Sequence, residues 1–300
     1  MDKRPLEELT IKDTFMFSAV MTEDPENCRR CIELALGIEV ERVEVSKEKS
    51  FLYHPEYKGI RLDVYAKDEK NTHYDVEMQV ARERSLEKRC RYYHSQMDVE
   101  LLESGHFYHE IPDVHVIFVC DYDPFGEKKY RYTIQKMVQE VPGLVFQDGA
   151  KTTILSTKGE NKEEVPEALV KFLEYVALPQ EESEQAFDDP YVTRLQQTIH
   201  KIKRSREMGK RYMTLQEYLW DENEKARKEG IELGRSEGIE LGRSEGIELG
   251  RSEGIEEGVE KKLLALIEKK LAKGKSVEQI ADEVEETVER VMELMEKLER

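Results

Sequence analysis

What this 300-residue chain lacks narrows its class before any motif is read. No apolar run approaches the eighteen or more residues of a membrane span, so no transmembrane segment is expected. The opening MDKRPLEELT has no apolar stretch of the kind a signal peptide needs, and the setting reads as cytoplasmic. Cysteine is scarce, with four residues at 28, 31, 90 and 120, and no disulfide framework is expected. Cys28-x-x-Cys31 has no second pair to complete a zinc site, and reads as two part-buried thiols on a helix. Gly-rich phosphate loops of the G-x-G-x-x-G or Walker type are missing, which leaves nucleotide cofactors without a seat. Positive charge is the minority, 47 basic against 65 acidic residues for a net −18, which excludes a polybasic nucleic-acid coat. The deficit runs through both parts of the chain: residues 1–220 carry 32 basic and 42 acidic side chains, residues 221–300 carry 15 and 23. The length suffices for a real core and one or two domains.

Against those absences, the stretch Gly59 to Gln79, GIRLDVYAKDEKNTHYDVEMQ, carries the clearest pattern. Two runs alternate apolar and polar residues, Ile60–Ala66 and Tyr74–Val80, with the polar KDEKNT between them. Period-two alternation bounded by turn residues predicts a β-hairpin. In the first run Ile60, Leu62, Val64 and Ala66 fall on one face, and Arg61, Asp63 and Tyr65 on the other. In the second, Val76, Met78 and Val80 oppose Asp75, Glu77 and Gln79. Pairing across the turn brings Asp63 close to Glu77 and Gln79 on one polar surface. Two carboxylates held together repel, and a hard divalent cation with oxygen ligands relieves the repulsion. The pattern predicts an incipient metal site, with a solvated hairpin face as the plain alternative.

The string R-L-D-V-Y, a short gap, then Y-D-V-E-M-Q-V resembles the core of the PD-(D/E)XK nuclease superfamily. More narrowly, it is similar to the Rpn family of recombination-promoting nucleases, also described as putative transposases. T-I-K-D-T-F-M-F near the N-terminus fits that family's first helix, and the basic, tyrosine-containing segment after the hairpin fits as well. The resemblance covers about residues 8–215 and reaches loosely into the tail. It implies an α/β restriction-endonuclease-like core of order αβββαβ, Mg²⁺-dependent cleavage of DNA with Mn²⁺ as an alternative ion, and a bacterial cytoplasmic setting. Within the motif Asp63 takes the metal-binding aspartate, Glu77 the (D/E), and Gln79 the position of the lysine. Asp13 in the first helix is a further candidate metal carboxylate, and equally a residue complementing the helix dipole. Gln79 departs from the superfamily's commonest residue, although the narrower family's own version reads E-x-Q. Lysine would bring charge near the attacking water, whereas an amide only orients that water by hydrogen bonds.

Around this centre the chain reads as alternating helices and strands. Thr10–Met21 is expected as a helix with Thr10 as N-cap and Asp13 at its third position, and Asn27–Leu36 as a second helix stopped by Gly37. Ile38–Tyr53 holds the first strand. Arg82–Ser104 has helical length, and Arg82, Arg84, Lys88, Arg89 and Arg91 make it basic just downstream of the metal candidates, with Tyr92 and Tyr93 following. That composition suits phosphate-backbone contact, or else a salt-bridged face in which Glu83 and Glu87 pair with Lys88 and Arg91. Gln96 is a weaker site-facing candidate. VHVIFVC, residues 114–120, predicts a strand buried on both faces, with edge strands in Tyr130–Val138 and Thr152–Ser156 and a helix over Val165–Ala177. His106-x-x-His109 lacks a third zinc ligand. Glu181–Asp189 reads as a loop, and Tyr191–Trp220 as one long basic helix.

The tail is a repeat: GIELGRSE occurs at 230–237, 238–245 and 246–253, then degenerates to GIEEGVEK. Glycine recurs every fourth residue from Gly230 to Gly258, and eight such residues cost roughly 8 kcal/mol of helicity relative to alanine. A lone helix is disfavoured, so the segment is either a self-associating helix or a spacer. A helix over Lys261–Gly274 should follow, then one opened by a Ser276/Gln279 capping box, and one capped by Thr287. G-K-S-V-E-Q-I-A-D-E-V echoes a helix-turn-helix, but the usual Gly turn is absent and five glutamates disfavour phosphate contact. The expected organisation is a nuclease domain over 1–215, the Gly-repeat segment over 216–260 and a helical oligomerisation unit over 261–300. DNA and further copies of the chain are the expected partners. The expected function is a metal-dependent DNA endonuclease of recombination or transposition, the rival being an inactive DNA-binding accessory protein that self-associates through the tail.

Overall fold

The computed structural model describes residues 4–46, 50–51 and 59–298. It divides into two compact units, Met1–Glu217 and Tyr218–Arg300. In chain order the first unit holds α1 (Thr14–Glu23), α2 (Pro25–Leu36), β1 (Val43–Ser46), β2 (Ser50–Phe51), β3 (Ile60–Arg61), β4 (Val64–Asp68) and β5 (His73–Gln79). Then come α3 (Leu86–Leu101), β6 (Val114–Cys120), β7 (Arg131–Ile134) and β8 (Ala150–Ser156). Helices α4 (Glu167–Ala177), α5 (Gln180–Ser183) and α6 (Pro190–Arg204) complete it, with the opening turns of α7 (Arg206–Leu271).

Six strands form one mixed sheet in the order β1-β4-β5-β6-β8-β7, and β2 and β3 make a separate two-stranded ribbon. Strand β4 runs antiparallel to both β1 and β5, β5, β6 and β8 run parallel, and β7 closes the edge antiparallel to β8. The expected αβββαβ order is therefore present as α2, β1, β4, β5, α3 and β6. A parallel centre needs cover on both faces, and all seven residues of β6 are buried. On one side Val64, Ala66, Val76, Met78, Ile117 and Val119 pack with α1, α2, α4 and α6. On the other Tyr65, Val116, Phe118 and Cys120 pack with Leu86, Cys90, Tyr93 and Met97 of α3.

Several elements differ from the expectation, each for a local reason. Helix α1 starts at Thr14 because the Thr10 N–H donates to Asp13 Oδ2 at 2.8 Å and closes a separate turn before it. Strand β8 is not an edge, since β7 pairs outside it. Helix α3 begins at Leu86 rather than Arg82, with Ser85 in the N-cap position, so Arg82 and Arg84 lie in the preceding loop. The long helix from Tyr191 breaks at Ser205, whose φ and ψ of −81° and 120° are extended and whose Oγ accepts from Met208 N at 3.3 Å. Within 181–189 the chain makes a short helical turn, α5. Cys28 and Cys31 are buried in α2, and burial pushes the Cys31 thiol up to about 12.

In the second unit α7 continues as helix through the glycine repeat to Leu271, so no new helix starts at Lys261. Helices α8 (Val277–Val284) and α9 (Val288–Leu298) follow. The Ser276/Gln279 capping box forms both of its bonds, at 3.2 and 3.4 Å, and Thr287 Oγ1 accepts from Arg290 N. Between α8 and α9 the left-handed turn is made by Glu285, with φ of 57°, where a helix-turn-helix would favour glycine. Ile267, Ile280, Ala281, Val291 and Leu294 form this unit's small core. No helix among the described residues is long and apolar enough to cross a membrane.

Candidate active site

The hairpin forms with β4 and β5 joined by a tight turn. Asp68 Oδ1 accepts from the N–H groups of Lys70 and Thr72 at 2.9 and 2.8 Å, and Asn71 takes the left-handed conformation. These are the turn roles Asp and Asn fill. The register sets Val64 opposite Val76, so Asp63 falls beside Glu77. The first run is not one strand, however. It bends at Leu62 and Asp63, and the faces exchange: Ile60 and Leu62 join the core under α3, while Val64 and Ala66 join the core on the opposite side. At the bend, side chains take over from the ladder. The Asp63 N–H donates to Glu77 Oε1 at 2.9 Å, and the Met78 N–H donates to Asp63 Oδ2 at 3.1 Å. Each carboxylate thus fixes the other's strand.

Glu77 is fully buried, at 0% exposure. Burial first, then the neighbouring Asp63 carboxylate, pushes Glu77 up to about 8. Burial raises Asp63 to about 6, against the pull of the Met78 N–H and of Arg89. One step further down β5, Asp75 is also at 0% exposure, and neither of its oxygens meets a donor among the described residues. Burial, followed by the charges of Glu77 and Asp63, lifts its pKa well above the ordinary carboxylate value. Three carboxyl groups therefore crowd one short stretch of sheet.

The countercharge comes from α3. Arg89 Nη2 donates to Glu77 Oε2 at 2.8 Å, and Nη1 donates to Gln79 Oε1 at 2.9 Å and to Glu83 Oε2 at 2.7 Å. Its Nη2 and Nε also donate to the Tyr93 hydroxyl, at 2.7 and 3.0 Å. The guanidinium lies 5.0 Å from the Tyr93 ring centroid and 5.7 Å from that of Phe118. Arg89 and Tyr93 meet because they stand four residues apart on one helix face. Gln79 Nε2 lies 3.5 Å from Glu77 Oε2, so the amide sits between the carboxylate and the guanidinium.

The structure thus brings Asp63, Glu77, Gln79 and Arg89 together. It does not bring Asp13, which starts α1 on the far side of the sheet, ion-paired with Arg4 and bonded to Thr10. Arg84, Lys88 and Arg91 are exposed, and so is Arg82, whose Nη2 donates to the Pro124 carbonyl at 3.2 Å. Glu83 pairs with Arg89, not with Lys88. Gln96 lies half-buried two turns beyond Arg89. His106 and His109 are exposed in the loop before β6. Reading the sequence missed Asp75, Tyr93 and Glu83 as members of the site. The signals were present: Asp75 shares the parity of Glu77 and Gln79, and Tyr93 follows Arg89 by four.

The donor set decides which ion this centre suits. Two carboxylates, Asp63 raised by burial and Glu77 by burial and the Asp63 charge, are hard oxygen ligands, which fit Mg²⁺ or Mn²⁺ rather than a thiophilic ion, while the Gln79 amide oxygen accepts from Arg89. Among the described residues no group of three or more His, Cys, Asp or Glu is arranged to hold a metal.

A mixed sheet carrying an aspartate at a strand's start, Glu-x-Gln at the end of its neighbour and a crossover helix behind defines a PD-(D/E)XK-type nuclease core. Residues 33–229 match the model of the PD-(D/E)XK nuclease family transposases, and the chain belongs to that family. The match begins inside α2, which leaves Asp13 outside it. Comparisons with curated proteins and with solved structures gave no match.

Proposed function

We propose that this protein is a Mg²⁺-dependent DNA endonuclease acting in recombination or transposition, as its likeness to the recombination-promoting nucleases suggests. Membership of the family implies phosphodiester hydrolysis with DNA as substrate. The observation that carries the reading is the reciprocal bonding of Asp63 and Glu77, which holds two carboxylates side by side with the Arg89 guanidinium bonded to Glu77. Asp63 and Glu77 would hold the ion. When bound, it polarises the scissile phosphate and lowers the pKa of the attacking water. Gln79 orients that water through its amide, and Arg89 fixes the amide and Glu77 from behind.

The test is a plasmid-nicking assay on the full chain beside Mn²⁺ titration calorimetry. Asp63→Asn and Glu77→Gln keep size and hydrogen bonding but remove a ligand charge. Cleavage should fall at least about a hundredfold in each, about 2.7 kcal/mol of barrier or more, with Mn²⁺ binding weakened. Gln79→Ala should slow cleavage with the metal retained. Folded Asp63→Asn protein that binds metal and cuts like the parent would refute the assignment. Salt-dependent DNA binding by a parent that never cuts would point to the accessory role instead.

A further inference from the structure

Arg89 has no N–H to spare. All five of its donors are engaged, by Gln79, Glu83, Glu77 and Tyr93, the last taking two. Four of those bonds go to groups inside the site. The fifth goes to Glu83, whose side chain is 42% exposed and belongs to the loop before α3 rather than to the sheet. Glu83 is also an anomaly in its surroundings, a carboxylate between Arg82 and Arg84 that reaches over to a third arginine. Arg82, Glu83 and Arg84 line an open concavity of about 370 Å³ together with Leu86, Glu87, Tyr122 and Pro124, and Arg89 lies behind Glu83 rather than in that lining. The Arg82 guanidinium is held there by the Pro124 carbonyl.

A carboxylate on a guanidinium presents two anionic oxygens, and so does a phosphodiester. The geometry points to a binding site for a DNA backbone phosphate at the position of the Glu83 carboxylate, with Arg89 as its inner ligand and Arg82 and Arg84 at its rim. Glu83 is the resident anion that the phosphate displaces. The inference rests on the nuclease reading for its purpose, because Arg89 also bonds Glu77 and Gln79 and would tie a phosphate's seat to the cutting pair. Exchange is inexpensive on the protein's side: the Glu83 bond is the exposed one, and exposed ion pairs contribute about 1 kcal/mol or less. The other four bonds keep Arg89 in place throughout, since guanidinium rings packed over Tyr93 and Phe118 have little room to turn.

The experiment measures the affinity of the full chain for a fluorescein-labelled 20-base-pair duplex in EDTA, by anisotropy, for the parent, Glu83→Gln, Arg89→Ala and the double variant. Glu83→Gln should tighten binding roughly two- to fivefold, the range an exposed ion pair supports. That gain should exceed the gain from Glu103→Gln, an exposed control acid beyond the C-terminal end of α3, and should vanish in the Arg89→Ala background. A gain of equal size with and without Arg89 would reduce the effect to general charge and overturn the site, as would no gain at all. If Arg89→Ala melts early, Arg89→Lys replaces it: lysine is a point charge that cannot hold Glu77 and a phosphate together, and the Glu83→Gln gain should again fall. Nicking by a parent that shows no such coupling removes the phosphate site and leaves the nuclease. Coupling in a parent that never nicks does the reverse, and a parent that binds no duplex removes both.

Discussion

Asp63 and Glu77 owe their properties to where the sheet puts them rather than to their side chains alone. Their raised values, about 6 and about 8, lie above the 3.8 and 4.5 of exposed carboxyls, so the folded state favours the protonated forms. Stability from such groups is complete below about pH 4 and is lost as pH rises through 6 to 8. Glutamine at 77 imitates the neutral acid. Without divalent ions, parent and Glu77→Gln should therefore unfold alike near pH 5, and the parent should be weaker at pH 8.5, by on the order of 3 kcal/mol. Adding Mg²⁺ at pH 8.5 should restore the parent and leave the variant unmoved, because a ligand stabilises only the state that binds it. Denaturant melts at the two pH values decide it; a parent equal to the variant at pH 8.5 would mean that Arg89 and solvent already compensate the charge.

At the scale of elements, the crossover from β5 into α3 separates two jobs that the sequence shows as one basic run. Arg89 turns inward to the carboxylates, whereas Arg84, Lys88 and Arg91 stay exposed, and we propose phosphate contact for those three. Replacing those three with alanine should weaken duplex binding regardless of sequence and reduce the slope of log affinity against log salt by up to about 3. An unchanged slope would make them surface charge only. The same stretch shows what the sequence could disclose. The hairpin, its turn and the buried β6 were legible because alternation, Asp and Asn at a turn, and an apolar run of seven residues broken only by His115 each have a direct physical cause. The bend at Leu62 and Asp63 was not. Both sheet faces are buried, so Ile60, Leu62, Val64 and Ala66 stay apolar across the exchange of faces and the pattern carries no mark of it. The break at Ser205 was hidden likewise by helical periodicity that resumes after one extended residue. Asp13, expected either as a further metal carboxylate or as a residue complementing the helix dipole, has its carboxylate taken up by Arg4 and Thr10.

For the molecule as a whole, the tail poses the problem of apolar surface with nothing over it. Along the repeat, Ile231, Ile239, Ile247, Leu233, Leu241 and Leu249 are each 60–62% exposed, and no atom lies within 4 Å of where a Cβ would stand on the repeat glycines. Each helical step of four residues overshoots a full turn by about 40°, so the glycine stripe winds right-handed around α7, once in roughly 54 Å. Two such helices following one another's stripes would cross at close range with the right-handed sense that small residues every fourth position permit. We propose that copies of this chain associate through that stripe. Association and intrinsic helicity then respond oppositely to one substitution. Gly238→Ala, Gly242→Ala and Gly246→Ala together should raise the helicity of an isolated chain by about 1 kcal/mol per site, yet place methyl groups in the seam and weaken the oligomer. Sedimentation equilibrium of the parent, the triple variant and a chain ending at Trp220 measures this. The parent should be heavier than both others at equal concentration. A triple variant that associates as well as the parent would show that the glycines make no seam, and a Trp220-terminated chain of the parent's oligomeric state would locate association in the nuclease unit.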